Sequence, residues 1–158
     1  MKMRLPLTLT ALAIAVPVAT IAHSNANVTD NTVKARHGYF QLVRHNAGML
    51  FGMAKGDIPY DAATATAHAR NLEAIANLDT ATLWAQGTDN ASLPGQTRAL
   101  PSLWTTFPAV MTEHQAFQQA AANMAANAGN GLDALRANAG PLGASCKGCH
   151  DKYRAKSF

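Results

Sequence analysis

The sequence predicts an all-α fold, an antiparallel up-and-down four-helix bundle. After the first 26 residues the chain is rich in Ala, Leu, Gln and Asn, and it has few runs of β-branched residues and few hairpin signals. Four segments carry apolar residues at helical spacing, and they are joined by two short links and one long connection. Because short links favour antiparallel neighbours, four such helices fit an up-and-down bundle.

The first two helices are predicted on either side of a short link. The first covers about residues 29–55, where apolar residues recur on one helical face, and Gly56 is a natural stop. The second begins at Asp61, a good N-cap, and continues to about Leu78. A long connection with Gly, Pro and Asn throughout then occupies residues 79–104.

The third and fourth helices follow the long connection. The third starts near Pro108, since proline suits a first helical turn, and it ends at the NAGNG stretch of residues 127–131. The fourth covers about residues 132–155 and has Pro141 inside it. Because proline removes a helical hydrogen bond and clashes with the preceding turn, we expect a kink or break there.

Residues 1–26 have the charge and hydropathy order of a secretory signal peptide. Two basic residues precede an apolar run over residues 5–21, and small residues follow, with cleavage expected after Ala26 or Ala22. The alternative is a membrane anchor, which is disfavoured because two prolines interrupt a run that barely reaches bilayer thickness. We therefore expect export to the periplasm and one mature domain over residues 27–158.

The mature chain is close to neutral in charge. Without the two basic residues of the signal peptide it has 11 Lys and Arg against 9 Asp and Glu. It carries no basic stripe of the kind that nucleic acid binding needs. About 132 residues remain after cleavage, enough for a single core.

The chemistry of the chain is concentrated in the stretch SCKGCHDKYR near the C-terminus. Cys146 and Cys149, the chain's two cysteines, stand three residues apart, and His150 follows directly. The spacing puts both sulfurs on one face of a helical turn, so each can add to one haem vinyl group. His150 then lies under the iron as its proximal ligand. This pattern is a c-type haem attachment signal, and it predicts one haem c, covalent through Cys146 and Cys149.

Three other interpretations of the cysteine pair are disfavoured. A thioredoxin-like dithiol is expected near a βαβ pattern, which the chain lacks. A structural zinc site needs about four ligands, and no second Cys pair, nor a His pair at i, i+3 or i+4, completes one. A disulfide is permitted in an exported protein, but it would close too short a loop to constrain much of the unfolded chain.

The second axial position of the iron is left open by this motif. The mature chain has four other histidines and four methionines as candidates: His37, His45, His68, His114, Met49, Met53, Met111 and Met124. Met49 and Met53 lie roughly opposite Phe40 on the first helix, so they cannot face a haem that Phe40 faces. Met111 and Met124 are more typical of core packing than of ligation.

The whole mature chain resembles the cytochrome c' family, the class II c-type cytochromes. The resemblance rests on four stretches: GASCKGCHDKYR at 143–154, AKGDIPYD at 54–61, LPSLW at 100–104 and HQAFQ at 114–118. The first is highly specific, the second is moderately specific, and the last two are weak alone. The resemblance implies a four-helix bundle with a covalently attached haem near its C-terminus.

The resemblance also implies roles for individual residues. Counting back without gaps from residues 59–61, Arg36 falls where the family has an arginine near a haem propionate, and Phe40 falls where the family places its distal residue. Phe40 cannot bind iron, so a five-coordinate, high-spin haem is implied. Arg154, one turn after His150, matches the family's basic residue beside the proximal histidine. The alternative for Arg154 is a solvated cation favoured by the helix dipole.

We expect a haem protein that binds small diatomic gases such as NO and CO, transfers electrons, or does both, and that is not an enzyme. Phe40, with Val43 and Trp84 as neighbours, would wall the distal pocket. The alternative is a low-spin, six-coordinate electron carrier in which His37 or a displaced methionine completes the iron. A peroxidase-like enzyme is disfavoured, since no distal His/Arg pair falls beside Phe40.

The first helix also predicts an assembly surface. A second apolar stripe, Leu42, Met49 and Met53 with Tyr39 at its margin, lies nearly opposite the face of Phe40. A helix that is apolar on two opposed faces is often covered by a partner, and the resemblance implies a homodimer through the first two helices. The alternative is packing against the long connection. No stable membrane anchor is expected, and the redox partner protein is not specified.

Overall fold

A computed structural model describes residues 19–158 of the chain, and their side chains from Val28 onward. Over this range the chain forms five α-helices and no strand: α1 (Ala19–Lys55), α2 (Ala62–Ala76), α3 (Ser102–Thr105), α4 (Phe107–Asn127) and α5 (Leu132–Tyr153). A short 3-10 helix covers Ala81–Leu83. The first 18 residues of the predicted signal peptide lie outside the described residues, and α1 begins at Ala19, earlier than predicted. None of the helices within 19–158 has an apolar stretch that could span a bilayer.

Helices α1, α2, α4 and α5 form the predicted four-helix bundle. Each of α1 and α4 packs against both α2 and α5. The core between them is built from large residues and from alanines that let the helices approach closely: Leu50, Met53, Ala65, Ala69, Leu72, Ala121, Met124, Leu135 and Leu142. The all-α bundle predicted from the sequence is confirmed.

Local signals set the link between α1 and α2. Gly56 adopts a left-handed conformation, with φ of 89°, and ends α1 as predicted. Asp61 is the N-cap of α2, and its Oδ1 accepts a hydrogen bond from the Thr64 backbone N–H at 2.7 Å. Hydrogen bonds from Thr64 hold the pKa of the Asp61 carboxyl below its usual range. Tyr60 then joins this link to the α4–α5 turn, donating to the carbonyl of Ala128 at 2.9 Å.

Helix α5 runs without interruption from Leu132 to Tyr153, so of the kink or break expected at Pro141 the break is absent. Pro141 and Ala137, whose carbonyl loses its helical partner to the proline, both lie on the exposed face of the helix. Water can satisfy that carbonyl. Leu135 and Leu142, on the buried face, are inaccessible to solvent and hold the helix against the core.

The second apolar stripe predicted on α1 is wrong as a continuous exposed surface. Met53 is 1% exposed within the core, and Met49 packs against that core. Tyr39 is buried, and with Leu42 it lines a small cavity, about 300 Å³, that reaches Leu83 of the connection. Only Leu42 of the predicted stripe is largely exposed, because α2 and the connection cover the other positions.

The long connection is anchored on the residues that follow α5. Ala99 pairs with Arg154 in an antiparallel bridge. The backbone N–H of Leu100 donates to Tyr153 O at 2.9 Å, and that of Ala155 donates to Arg98 O at 2.8 Å. The Arg98 guanidinium adds bonds to the carbonyls of Ala155 and Lys156 at 2.7 and 2.6 Å. The connection is therefore fixed directly beside the C-terminal end of α5.

Candidate haem site

A cavity of about 930 Å³ lies between α1, the connection, α4 and α5. All six residues predicted for the haem site line it: Arg36, Phe40, Cys146, Cys149, His150 and Arg154. Most of the remaining wall is apolar or aromatic, including Val43, Phe51, Trp84, Leu103, Phe117 and Tyr153. Its size is that of a typical cofactor pocket, and an apolar wall with a few convergent polar groups is what such a pocket has. The residues from both ends of the chain thus converge on one site.

Cys146 and Cys149 stand one turn apart on α5, and neither thiol forms a disulfide. Both are half-buried, and burial raises the pKa of each thiol; for Cys149 the nearby Glu113 carboxylate raises it further. Gly148, between them, leaves room for α4, because a Cβ there would stand 2.6 Å from Glu113 Oε2. Two free thiols on one wall of an apolar cavity are the groups that the two thioether bonds of a covalent haem require.

His150 is half-buried at the end of the same helical turn. Burial, followed by the positive charges of Arg154 and Arg98, lowers the pKa of His150, so its imidazole is neutral near pH 7. Arg154 Nη1 stands 3.4 Å from His150 Nε2. A guanidinium can only donate, so Nε2 is the ring nitrogen that carries the lone pair. A neutral imidazole is a common metal ligand, and iron binding at Nε2 would replace the contact that this lone pair now makes with Arg154.

The wall contributed by α1 is aromatic. The Phe40 ring meets the Trp84 ring edge-on, with centroids 6.2 Å apart, and meets Tyr39 at 5.0 Å. Trp84 in turn contacts Trp104 at 6.2 Å, and the Trp104 indole N–H donates to the Trp84 carbonyl at 2.9 Å. The Phe40 ring therefore contacts two other aromatic rings, while 41% of the residue remains exposed.

Arg36 is 2% exposed, and its guanidinium holds the connection in place. Nη1 donates to Leu83 O at 3.2 Å and to Thr88 Oγ1 at 2.9 Å. Nη2 donates to Thr88 O at 2.9 Å and to Thr97 Oγ1 at 2.8 Å. The guanidinium carbon also lies 4.9 Å from the centre of the Trp84 ring. Burial lowers the pKa of Arg36. All four of its hydrogen-bond acceptors are neutral oxygens, so none of them balances the guanidinium charge.

A family model described as Cytochrome C' matches residues 31–154. The chain belongs to the cytochrome c' family. Members of this family bind haem c, and the two free thiols in one cavity are consistent with its covalent attachment. The haem cofactor and the family predicted from the sequence are confirmed.

Individual members of the family are similar over most of the chain. A cytochrome c' from Cereibacter sphaeroides is 40% identical over 127 residues, covering 80% of this chain and 85% of that protein. The solved cytochrome c' from Rhodobacter sphaeroides has a TM-score of 0.79 at 40% identity and covers 81% of this chain and 98% of its own. A ferrous variant of the Alcaligenes xylosoxidans protein, solved with bound NO, has a TM-score of 0.70 at 33% identity, covering 82% and 97%.

The cavity also sorts the candidates for the second axial position. His37, His114 and Met111 line it, whereas His45, His68, Met49, Met53 and Met124 do not. The prediction that Met49 and Met53 face away from the Phe40 side is confirmed. Burial lowers the pKa of His114.

Several residues of the site carry no signal in the sequence. Thr88 and Thr97, which fix Arg36, are two threonines in an irregular connection. Arg98 bonds the chain after α5, and Glu113 pairs with Lys152 at 2.5 Å across the α4–α5 interface. Their roles arise only when segments distant in the sequence are brought together.

Proposed function

We propose that this chain is a periplasmic c-type haem protein whose five-coordinate, high-spin iron binds NO and CO, and that it can also transfer electrons. The observation that carries the proposal is the aromatic wall. Phe40, which has no atom able to bind iron, lines the same cavity as His150 and is backed by Trp84. When bound, the haem supplies an iron with one coordination position open to a diatomic ligand.

Residues of both α5 and α1 would hold the haem. We assign Cys146 and Cys149 to the two thioether bonds and His150 to the proximal iron position. Arg36 is a buried cation with neutral partners, so a propionate carboxylate would supply the opposite charge that a buried guanidinium favours. Arg154, at hydrogen-bonding reach of His150 Nε2, would influence events on the proximal side.

Phe40 acts by steric exclusion. Water and bulkier ligands would have to displace a ring that is already in contact with Tyr39 and Trp84. Crowding of this kind costs about 1 to 3 kcal/mol. Ligands that bind iron strongly, such as NO, can meet that cost, and this is the proposed source of selectivity. NO is bound in the Alcaligenes xylosoxidans relative, and CO is bound in another variant of that protein.

The absorption spectrum of the purified ferric protein tests the iron state. A high-spin spectrum that changes on adding NO is expected, together with CO binding after reduction. A low-spin spectrum with a methionine or bis-histidine signature would refute the five-coordinate proposal.

A low-spin electron carrier is the second candidate, because His37 lines the cavity one turn before Phe40. His37→Ala separates the two candidates. The ferric spectrum stays unchanged if Phe40 faces an open position, and it changes from low-spin to high-spin if His37 binds the iron.

We also propose export and dimerisation. The N-terminus of protein from the periplasmic fraction is expected at Asn27, or at His23 if cleavage follows Ala22. A solved relative is described as showing ligand-controlled dimer dissociation. Here Leu42 and Leu78 are 53% and 54% exposed where α1 meets the end of α2, which supports a homodimer through α1 and α2. Sedimentation at micromolar concentration should give twice the monomer mass, and Leu42→Glu should lower it to the monomer mass.

A further inference from the structure

Two histidines meet on the surface of the bundle, outside the haem cavity. His45 of α1 is exposed and His68 of α2 is partly buried. Their ring centroids stand 5.4 Å apart, with the ring planes at 67°. Neither residue lines the haem cavity, so the proposed gas-binding function does not use them.

A buried amide fixes the protonation of one of the two rings. Asn46 is 3% exposed, and its Nδ2–H group donates to the Leu42 carbonyl at 2.9 Å. That bond turns the amide oxygen toward His68 Nδ1, which stands 2.9 Å away. Because the amide oxygen can only accept, His68 Nδ1 carries the proton and Nε2 carries the lone pair. Histidines that bind metals usually donate their other ring N–H to a carbonyl or carboxylate in this way.

The separation of the two rings suits a shared ion. With metal–nitrogen distances of about 2.1 Å and the ion in both ring planes, two imidazoles at a tetrahedral angle have centroids about 5.3 Å apart. The observed separation is 5.4 Å.

We propose that His45 and His68 form a surface site for one divalent transition-metal cation of the class that prefers imidazole nitrogen, with Zn²⁺ as its representative. Asn46 is a positioning residue that fixes the orientation and tautomer of His68. Solvent supplies the remaining ligands through the exposed side of His45. Mg²⁺ and Ca²⁺ are excluded by chemistry, since both prefer oxygen ligands.

Titration calorimetry with zinc chloride at pH 7.5 tests the site. The haem-loaded, untagged mature chain is used, so that both thiols are already consumed. One zinc ion per chain is expected to bind in a saturable manner below 1 mM. His45→Ala and His68→Ala should each weaken zinc binding at least about tenfold. Removing a residue that only hydrogen-bonds a metal ligand already costs about that much, and these variants remove a ligand itself. Magnesium chloride should give no saturable heat.

Arg70→Gln is the control, because Arg70 is an exposed residue of the same helix as His68. The affinity of the Arg70→Gln protein for zinc should stay within about twofold of that of the original protein. Helical circular dichroism and the haem spectrum, unchanged in every variant, establish that each is folded. Zinc binding that survives in the His45→Ala/His68→Ala double variant overturns the proposal, as does the lack of saturable binding below 1 mM. Either result leaves the ferric haem spectrum untouched, so failure here is separate from failure of the proposed gas-binding function.

Discussion

The two walls of the haem cavity are built in opposite ways. The wall on α5 takes its chemistry from consecutive residues, 146–150, whose spacing alone puts two thiols and an imidazole on one cavity. The wall on α1 takes Phe40 from one helix and Trp84 from the connection, and Arg36 fixes the second against the first. If the proposed roles hold, attachment of the haem depends on local spacing, whereas selection of its ligand depends on how distant segments pack.

The largest effect is expected from removing both thiols. In Cys146→Ala/Cys149→Ala no thioether can form, so haem should no longer remain on the denatured polypeptide in a haem-stained gel. Lys147→Ala is the matched control, since Lys147 lies between the cysteines but is exposed and pairs with Asp151 at the surface. Covalent haem that persists in the double variant would contradict the assignment of the α5 wall.

Arg36→Leu tests whether the guanidinium holds the connection, and with it Trp84, against α1. The substitution removes four hydrogen bonds and leaves the buried oxygens of Thr88 and Thr97 without these donors. The free energy of unfolding measured in urea should fall by about 2 to 4 kcal/mol. Covalent haem should be retained, because the α5 turn is unchanged.

Arg70→Leu makes the same chemical change at an exposed position of α2 and should stay within about 0.5 kcal/mol of the original. If Arg36→Leu is equally mild, the guanidinium does not hold the connection.

Phe40→Ala should raise the affinity of the ferrous protein for CO. Removing the ring relieves crowding of about 1 to 3 kcal/mol, and each 1.4 kcal/mol is tenfold, so a gain of roughly tenfold to a hundredfold is expected. A CO titration followed by absorption measures it. Val28→Ala, an apolar truncation at an exposed position of α1 outside the cavity, should leave the affinity as it was. Equal affinities in the two variants would remove Phe40 from the ligand path.

The smallest effect is expected from Tyr39→Phe, and only in alkali. Burial raises the pKa of Tyr39 to about 12, whereas a tyrosine in the unfolded chain titrates near 10. The fold therefore favours the neutral phenol, and this contribution is complete below pH about 10 and is lost as the pH rises through about 12. By pH 11 the original chain should have lost about 1 kcal/mol that Tyr39→Phe keeps. Urea unfolding at pH 8 and pH 11 measures the difference, and parallel curves for the two proteins would refute it.

The sequence predicted what local physics controls. The Asp61 cap, the Gly56 stop and the Cys146 to His150 turn each depend on residues within one or two helical turns, and each lies where its pattern indicates. The helix does not break at Pro141, because the exposed carbonyl of Ala137, which has lost its helical hydrogen bond, can accept one from water. The continuous stripe on α1 also failed, since which face α2 covers is decided by tertiary packing.

The role of Arg36 in the connection was beyond sequence reasoning for a related reason. Its partners Thr88 and Thr97 stand 52 and 61 residues away along the chain. Threonines in an irregular segment have no spacing that marks them. Only their convergence on one guanidinium gives them a function.

The pairing of the connection with the residues after α5 means that the two walls share one backbone. Thr97 bonds Arg36, which supports the Phe40 side, and the next residue, Arg98, bonds Ala155 and Lys156, which follow the His150 side. A single peptide bond thus separates the support of one wall from that of the other. A displacement of the chain on either side of the iron would reach the opposite side through covalent structure, without crossing the cavity itself.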